Sequence, residues 1–202
     1  MTTTQILAVR GALPEHRHSQ AEITDAFADV IARGRTDERV LRRLHANAGV
    51  EHRNLVLPIT DYGLLEDFGQ ANDLFLEHAV DLGSRALEEA LAASGLTVGD
   101  VDLLACATVT GVAVPSLDAR IAARLGRRVP LVGLGCVAGA AGIARLDDYL
   151  VGHPGGIAAL VTVELCSLTV QRDDTSMPNL VASGLFGDGA AAVVARGGVD
   201  EQ

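Results

Sequence analysis

The chain has 202 residues and a net charge of −10, from 16 basic and 26 acidic side chains. A surface this acidic repels phosphate backbones and anionic lipid, which argues against nucleic acids and membrane surfaces as partners. A hydrophobic share of 49% and a charged share of 21% are typical of a globular protein and exclude a disordered or fibrous chain.

The apolar residues are mostly small or aliphatic, since aromatic residues make up 3% of the chain and Trp is absent. This composition favours helices packed on a sheet, an α/β class, over an aromatic-rich β-sandwich. The first residues lack the basic and apolar regions of a secretory signal. The longest uncharged stretch, 129–144, is too short and too rich in glycine for a membrane span. We therefore expect a cytoplasmic protein without a membrane span.

The first part of the chain combines one strand with two helices. Residues 5–9 form a short apolar run that suits a buried strand. A helix is predicted over 19–32, where Ser19 and Glu22 have the spacing of a capping box. A second helix, with a basic face, is predicted over 36–48.

Further along the chain, strands alternate with helices. Continuous apolar runs predict buried strands, and amphipathic segments predict helices. The strands are predicted over 101–108, 129–134, 157–163 and 190–194, and the helices over 72–95, 115–126 and 136–151. This alternation predicts one domain over 1–202, with a parallel or mixed sheet covered by helices on both faces.

Cys136 is the strongest candidate for a reactive side chain. It follows the predicted strand 129–134 and opens a helix rich in small residues. A thiol at this point faces the carboxyl edge of the sheet, and the positive end of the helix favours the thiolate, which is the stronger nucleophile. The alternative is a buried free cysteine that packs as a small hydrophobe.

The other two cysteines suit packing roles better. Cys106 lies inside an apolar run, and Cys166 follows the predicted strand 157–163, where it could also line a pocket. An odd number of cysteines without CxxC spacing indicates neither a disulfide framework nor a zinc site. We predict no metal site.

Familiar nucleotide-binding and hydrolase motifs are not matched. The glycines at 133, 135 and 139 resemble a dinucleotide fingerprint, but the spacing between the second and the third is one residue too long. No GKS or GKT sequence is present to form a phosphate loop. A hydrolase nucleophile elbow needs glycine two residues before and two residues after the nucleophile, where this chain has Leu134 and Ala138. Nucleotide binding of these kinds and a hydrolase triad are therefore disfavoured.

One group of basic residues stands out in this acidic chain, and it comprises Arg39, Arg42, Arg43, His52 and Arg53. Such groups are usually solvated surfaces, yet this one could bind the phosphates of an anionic substrate. His153 begins an HPGG sequence, which is ordinary turn chemistry, so we predict that it lies in a surface loop.

Three motifs occur in the order that one enzyme family shows. They are GCVAGAAG at 135–142, VELCS at 163–167 and GLFGDGAA at 184–191, with further likeness at 48–53 and 111–115. With these motifs the sequence resembles the bacterial type III polyketide synthases, which belong to the chalcone and stilbene synthase family and have a thiolase fold. The resemblance covers nearly the whole chain. Its segment 164–169 is most similar to the alkylresorcinol and alkylpyrone synthases, which accept long fatty acyl starters.

The resemblance implies a homodimeric acyltransferase. Such an enzyme loads an acyl group from an acyl-CoA onto a cysteine and extends it with malonyl-CoA by decarboxylative Claisen condensation. The CoA thioesters are substrates, and no further cofactor is implied. By their positions in the motifs, Cys136 matches the nucleophile, Phe186 the aromatic gatekeeper, Val109, Cys166 and Thr169 residues that shape the cavity, Val114 a residue that reaches across the dimer, and Arg43 a CoA-phosphate contact.

One departure from the family limits the expected activity. Thiolase-fold enzymes consist of two similar halves, and the catalytic His and Asn of this family belong to the second half, which we expect beyond Gln202. Without their donors for the developing enolate, the 202-residue chain alone is expected to make no polyketide. Two alternatives stay open. One is a CoA-primed ketoacyl-ACP synthase, and the other is a half-domain that serves only in dimerisation or acyl binding.

Overall fold

The structure is a computed structural model that describes residues 3–32, 38–122, 127–172 and 174–198. Within them, the strands are β1 (Gln5–Ala12), β2 (His16–Ser19), β3 (His52–Leu55), β4 (Leu103–Thr108), β5 (Arg128–Val132), β6 (Ile157–Leu165) and β7 (Asp188–Arg196). The helices are α1 (Gln20–Phe27), α2 (Glu38–Asn47), α3 (Phe68–Ala93), α4 (Leu117–Ile121), α5 (Ala138–Val151) and α6 (Met177–Leu185). Among the described helices, none is both long and apolar enough to cross a membrane.

The chain divides into two compact units. Unit 1 comprises the described residues of Met1–Ala12, Leu76–Glu164 and Ala190–Gln202. Unit 2 comprises those of Leu13–Phe75 and Leu165–Gly189.

Unit 1 is built on a mixed sheet whose strand order is β1-β7-β6-β4-β5. Strand β4 pairs in parallel with both β5 and β6, and β1 pairs antiparallel with β7. The continuous apolar runs of β4 and β6 are buried on both faces, as expected for central parallel strands. The five predicted strands are therefore found, with ends that differ by a few residues.

Helix α5 covers one face of this sheet. Gly142 approaches β6 so closely that an added Cβ would lie 2.6 Å from Leu160 Cδ2. Leu146 and Leu150 of the same helix enter a buried cluster with Leu160. The helix predicted over 136–151 is therefore found, apart from its first turn.

Helix α3 covers the opposite face. An added Cβ on Gly83 would lie 3.2 Å from Val163 Cγ2 and 3.3 Å from Val161 Cγ1. Since successive side chains of a strand point to opposite faces, Val161 and Leu160 mark the two sides of β6. The prediction of an α/β fold with helices on both faces of a mixed sheet is confirmed.

The side chain of Asp102 fixes the start of β6 beside β4. Its Oδ2 accepts a hydrogen bond from the backbone N–H of Ile157 at 2.8 Å. Leu103 and Ala158, the next residues along the two strands, lie opposite each other in the sheet. This contact links the amino ends of two parallel strands through one carboxylate.

Unit 2 begins with a small sheet that the sequence did not predict. Strands β2 and β3 pair antiparallel, with His16 opposite Leu55. Ser19 then caps α1 as predicted, because its Oγ accepts from the N–H of Glu22 at 3.3 Å while the Glu22 carboxylate accepts from the N–H of Ser19 at 2.7 Å. The predicted helix 19–32 is found as α1 followed by a π-helical turn over Ala28–Ala32.

Three other helices differ from the prediction. Helix α2 is found within the predicted 36–48, although Thr36 lies outside the described residues. Helix α4 begins two residues after the predicted Pro115, and Gly126, its predicted end, also lies outside the described residues. Helix α6 was not predicted, because its nine residues include Pro178, Ser183 and Gly184, which lower its helix propensity.

Candidate active site

Cys136 lies in a tight turn between β5 and α5. Gly133 and Gly135 have φ values of +83° and +57°, in the left-handed region that favours glycine. Residues 135–137 form a single 3₁₀ turn, and the side chain of Cys136 is exposed. The structure thus places Cys136 at the strand-to-helix turn that the sequence indicates.

The first turn of α5, which follows Cys136, has no side-chain cap and no acidic residue. The residue at its N-cap is Val137, which has no side chain able to accept the free N–H groups of the first turn. This end of the helix therefore stabilises a neighbouring negative charge.

Glu164 supports the loop that follows β4, a role that sequence reasoning missed. Its Oε1 and Oε2 accept from the backbone N–H of Val109 at 3.1 and 3.2 Å, and its Oε2 accepts from Thr110 Oγ1 at 2.8 Å. The Val109 side chain is 47% exposed. Since β4 and β6 are parallel, both contacts lie at the carboxyl edge of the sheet.

Val114 lies on an exposed loop in unit 1 and is itself 87% exposed. Its peptide bond to Pro115 is cis. Arg120 of α4 donates from Nε to the carbonyl of Pro115 at 3.1 Å and from Nη2 to that of Val114 at 3.4 Å. The backbone of this loop is therefore held while the side chain of Val114 extends into solvent.

Cys166 and Thr169 lie in one 3₁₀ turn of unit 2. Thr169 Oγ1 donates to the carbonyl of Cys166 at 2.7 Å, which closes the turn. The Cys166 side chain is half-buried, and Thr169 is exposed. The turn thus brings together two of the residues that the family resemblance singles out.

Phe186 follows α6, and its side chain is 40% exposed. Its backbone N–H donates to the carbonyl of Ala182 at 3.2 Å, and its carbonyl accepts from Arg53 Nη1 at 2.7 Å. The backbone of Phe186 is therefore fixed at both polar atoms, while its ring remains accessible.

A buried group of polar side chains in unit 2, the Asp188 cluster, comprises Arg53, Tyr62, Ser167 and Asp188. Asp188 Oδ1 accepts from the N–H of Ser167 at 2.8 Å, and Oδ2 accepts from the N–H of Val56 at 2.9 Å and from the Ser167 hydroxyl. Tyr62 Oη lies 2.6 Å from Ser167 Oγ. Burial raises the pKa of the Asp188 carboxyl, and these donors and the Arg53 charge oppose the rise.

Sequence reasoning missed the Asp188 cluster because its members are far apart in the chain. One signal was present. Asp188 stands between two glycines directly before an apolar strand. A carboxylate that enters a buried strand requires hydrogen-bond donors around it.

The basic residues of the sequence do not form one phosphate-binding surface. Arg53 is only 4% exposed, so the expectation that it belongs to such a surface is wrong. Burial lowers its pKa to about 10. Arg42 pairs with Asp25 at 2.6 Å and with Glu38 at 2.7 Å, whereas Arg43 is exposed on α2.

Two other predictions about single residues are confirmed. Cys106 is buried in β4, and burial, together with the charges of Asp118 and Glu164, raises the pKa of its thiol to about 12. His153 is exposed after α5, where its ring stacks on Tyr149 with centroids 3.9 Å apart. In the ranges that the structure describes, no group of three His, Cys, Asp or Glu side chains could hold a metal ion.

Comparison with protein families gives a match over almost the whole chain. Residues 2–199 match the model of the N-terminal domain of chalcone and stilbene synthases. The sequence is 56% identical over 200 residues to the 1,3,6,8-tetrahydroxynaphthalene synthase of Streptomyces peucetius subsp. caesius, covering 96% of this chain and 53% of that protein. It is 35% identical over 202 residues to the 3,5-dihydroxyphenylacetyl-CoA synthase of Streptomyces toyocaensis, covering 96% and 50%. The chain spans about half the length of the curated relatives it matches.

Solved structures share the fold. The 1,3,6,8-tetrahydroxynaphthalene synthase of Streptomyces coelicolor, described as a bacterial type III polyketide synthase, superimposes with a TM-score of 0.84 at 32% identity. The match covers 95% of this chain and 56% of that one. These values confirm the predicted thiolase-like fold and the predicted likeness to the N-terminal half of such enzymes.

Proposed function

Because the chain belongs to the chalcone and stilbene synthase family, we propose that it supplies the nucleophile of a type III polyketide synthase. The Cys136 thiolate attacks the carbonyl carbon of an acyl-CoA, the bond between that carbon and the CoA sulfur breaks, and CoA leaves as its thiolate. Malonyl-CoA then loses CO₂, and the electron pair released forms a carbon–carbon bond to the acyl group. The thioester bond to Cys136 breaks in the same condensation.

The placement of Cys136 is the observation that carries this proposal. Its exposed side chain stands directly before α5, whose first turn stabilises negative charge. A thiolate at this point is accessible to an acyl-CoA and is the nucleophilic form of cysteine. By the family resemblance, the donors that stabilise the malonyl-derived enolate are a His and an Asn of the second half.

The remaining residues of the proposed site bind the substrate. On the family resemblance alone, we assign Phe186 to the entrance of the acyl pocket, Cys166, Thr169 and Val109 to its wall, and Arg43 to the phosphates of CoA. The exposure of Phe186 and Val109 and the half-burial of Cys166 support pocket-lining roles. The exposed guanidinium of Arg43 is suited to charge-assisted hydrogen bonds with phosphate.

Two product classes follow from different observations. The resemblance of segment 164–169, together with the small side chains at Cys166 and Val109, favours an alkylresorcinol or alkylpyrone product. The 56% identity to a 1,3,6,8-tetrahydroxynaphthalene synthase favours 1,3,6,8-tetrahydroxynaphthalene as the product. Mass spectrometry of the products formed from malonyl-CoA alone, and from malonyl-CoA with palmitoyl-CoA, distinguishes the two.

We further propose that the protein acts as a homodimer in the cytoplasm. Val114 is 87% exposed and Val132, on the edge strand β5, is 76% exposed. Among the described strands β5 pairs with β4 alone, and exposed apolar side chains and free sheet edges mark interaction surfaces. Free cysteines, which the mechanism needs, suit a reducing compartment.

Acyl transfer to Cys136 is the step to test first. The natural full-length polypeptide is incubated with an acyl-CoA, and its intact mass and the mass of the Cys136 peptide are measured. We expect one acyl group on that peptide, and none in the Cys136→Ala variant. The Cys106→Ala variant removes a buried thiol as a control and keeps the acyl group. Full acyl loading of the Cys136→Ala variant would exclude Cys136 as the nucleophile.

The same preparation separates the enzyme alternatives. A polyketide synthase extends the loaded acyl group with malonyl-CoA, whereas a ketoacyl-ACP synthase requires malonate on a carrier protein. The Cys136→Gln variant imitates the loaded cysteine and is expected to retain release of CO₂ from malonyl-CoA. A protein that serves only for dimerisation or binding forms no covalent acyl adduct at all.

A further inference from the structure

One buried carboxylate links two residues assigned to the acyl pocket. Asp188 Oδ1 accepts at 2.8 Å from the N–H of Ser167, and that nitrogen belongs to the peptide bond that Cys166 begins. Phe186 precedes Asp188 by two residues on the same segment. A displacement of this carboxylate therefore changes the backbone at both Cys166 and Phe186.

Arg53 holds the same segment at a second point. Its Nη1 donates to the carbonyl of Phe186 at 2.7 Å, and its Nε donates to Gln20 Oε1 at 3.1 Å. Its guanidinium carbon lies 5.8 Å from the centre of the Phe27 ring. These contacts orient a side chain that is almost wholly buried, so Arg53 has little freedom to follow a moving Phe186.

Stability alone does not account for this arrangement. Removing a carboxylate and a guanidinium from water carries a large free-energy penalty, and apolar side chains of similar volume often stabilise a core equally well. Charged groups add direction, because charge-assisted hydrogen bonds are short and depend on geometry. In the Asp188 cluster, these directional hydrogen bonds orient the peptide groups next to Cys166 and Phe186.

We propose that Asp188 and Arg53 are positioning residues that set the relative placement of Cys166 and Phe186, and thereby the acyl chain lengths that the pocket accepts. The inference rests on the function proposed above. Asp188 and Arg53 do not contact the substrate themselves. They act through the backbone of the two residues that do.

Thiol alkylation tests the structural part of this inference without any catalytic step. The rates at which iodoacetamide modifies Cys166 and Cys136 are measured in the folded full-length protein by peptide mass spectrometry. In Asp188→Asn, the rate at Cys166 is expected to rise about tenfold relative to the rate at Cys136, because the turn that begins at Cys166 opens more often. Ser167→Ala keeps the backbone N–H and removes only the hydroxyl, so a smaller rise is expected.

Leu41→Ala is the matched control for lost stability. Leu41 is fully buried in α2 of the same unit, and its truncation lowers the free energy of unfolding without removing a member of the Asp188 cluster. A general loosening raises the Cys166 rate as much in Leu41→Ala as in Asp188→Asn, and that result overturns the inference. A rise that is specific to the cluster variants supports it.

Chain-length selectivity tests the functional part. Initial rates of acyl loading on Cys136 are compared for octanoyl-CoA and palmitoyl-CoA in the wild type, Arg53→Lys, Asp188→Asn and Leu41→Ala. In the cluster variants the ratio of the two rates is expected to change about tenfold, whereas Leu41→Ala lowers both rates in proportion. An unchanged ratio in the folded cluster variants overturns the inference. A wild-type protein that loads neither substrate contradicts the fatty acyl starter rather than the proposed nucleophile, and the alkylation rates then decide the inference.

Discussion

Glu164 holds the backbone of Val109, because its carboxylate oxygens lie 3.1 and 3.2 Å from the Val109 nitrogen. Thr110 adds its hydroxyl to the same carboxylate at 2.8 Å. One acidic side chain at the end of β6 therefore fixes the first residues of the loop after β4. The side chain of Val109 remains exposed above this support.

Glu164→Ala is expected to lower the free energy of unfolding by about 1–3 kcal/mol, because it removes charge-assisted hydrogen bonds to the loop. Glu164→Gln keeps an acceptor for Val109 and is expected to lose less. Thr110→Val removes the contacts of the hydroxyl with Glu164 and Thr108 but keeps the contact of Glu164 with Val109, and it serves as the control. Urea unfolding curves measure all three. Equal stability of Glu164→Ala and the wild type would show that the loop does not depend on this carboxylate.

Two glycines of α5 should respond oppositely to alanine. In Gly142→Ala the new Cβ would lie 2.6 Å from Leu160 Cδ2, and Leu160 is buried, so we expect a loss of about 1–3 kcal/mol from overpacking. Gly139 has no heavy atom within 4 Å of such a Cβ. Gly139→Ala is expected to stabilise the helix by about 0.5–1 kcal/mol. Thermal unfolding of the two variants and the wild type measures these changes in stability. A Gly142→Ala protein as stable as the wild type would contradict the close packing of α5 on β6.

His45 makes the stability of unit 2 depend on pH. Its ring is buried and lies 2.9 Å from Thr24 Oγ1 through Nδ1 and 3.1 Å from Ser183 Oγ through Nε2. Burial, followed by the charges of Arg53 and Arg42, lowers its pKa from 6.5 to about 4. In the unfolded chain this histidine is protonated below about pH 6.5, whereas in the folded protein it is protonated only below about pH 4.

Stability is accordingly expected to fall between pH 6.5 and 4, by about 2–3 kcal/mol from this residue. Urea unfolding at pH 7 and pH 4.5, for the wild type and His45→Gln, isolates the contribution. The raised pKa of Asp188 has the opposite effect on stability, because the folded protein protonates this carboxylate more readily than the unfolded chain does. Both proteins contain Asp188, so its contribution cancels when the two stability losses are subtracted. The same loss of stability in both proteins would show that His45 titrates normally.

Cys166→Phe tests the assignment of the pocket wall. A ring in place of the thiol fills space that a long acyl chain would need, so shorter starters are expected to be favoured by about tenfold over palmitoyl-CoA. Val181→Phe places the same ring on an exposed position of α6 and controls for the added bulk. Product profiles by mass spectrometry measure the change. An unchanged profile in Cys166→Phe would contradict the assignment.

The parts of the fold that the sequence predicted are those with a local physical cause. Strands β4 and β6 were predicted because a continuous apolar run must be buried on both faces. The start of α1 was predicted because the capping residues Ser19 and Glu22 are only three positions apart. The turn before α5 was predicted because a glycine-rich stretch follows an apolar strand.

The parts that the sequence did not predict depend on partners distant in the chain. Strands β2 and β3 are four-residue segments rich in His and Arg, and the pairing of their backbones, which no side-chain pattern announces, makes them strands. The burial of Arg53 follows from contacts with Phe186, which lies 133 positions away. Residues of this kind become visible only when the fold brings their partners together.

Strands β4 and β6 are nearly uniform in their apolar character, so the apolar pattern alone does not distinguish one register of the pair from the next. Asp102 binds the first residue of β6, and Glu164, near the end of β6, binds the residue after β4. A slip in either direction would break both contacts together. The two carboxylates therefore select one register for the central strands, and that register determines which residues arrive at the edge where the chemistry is proposed to occur.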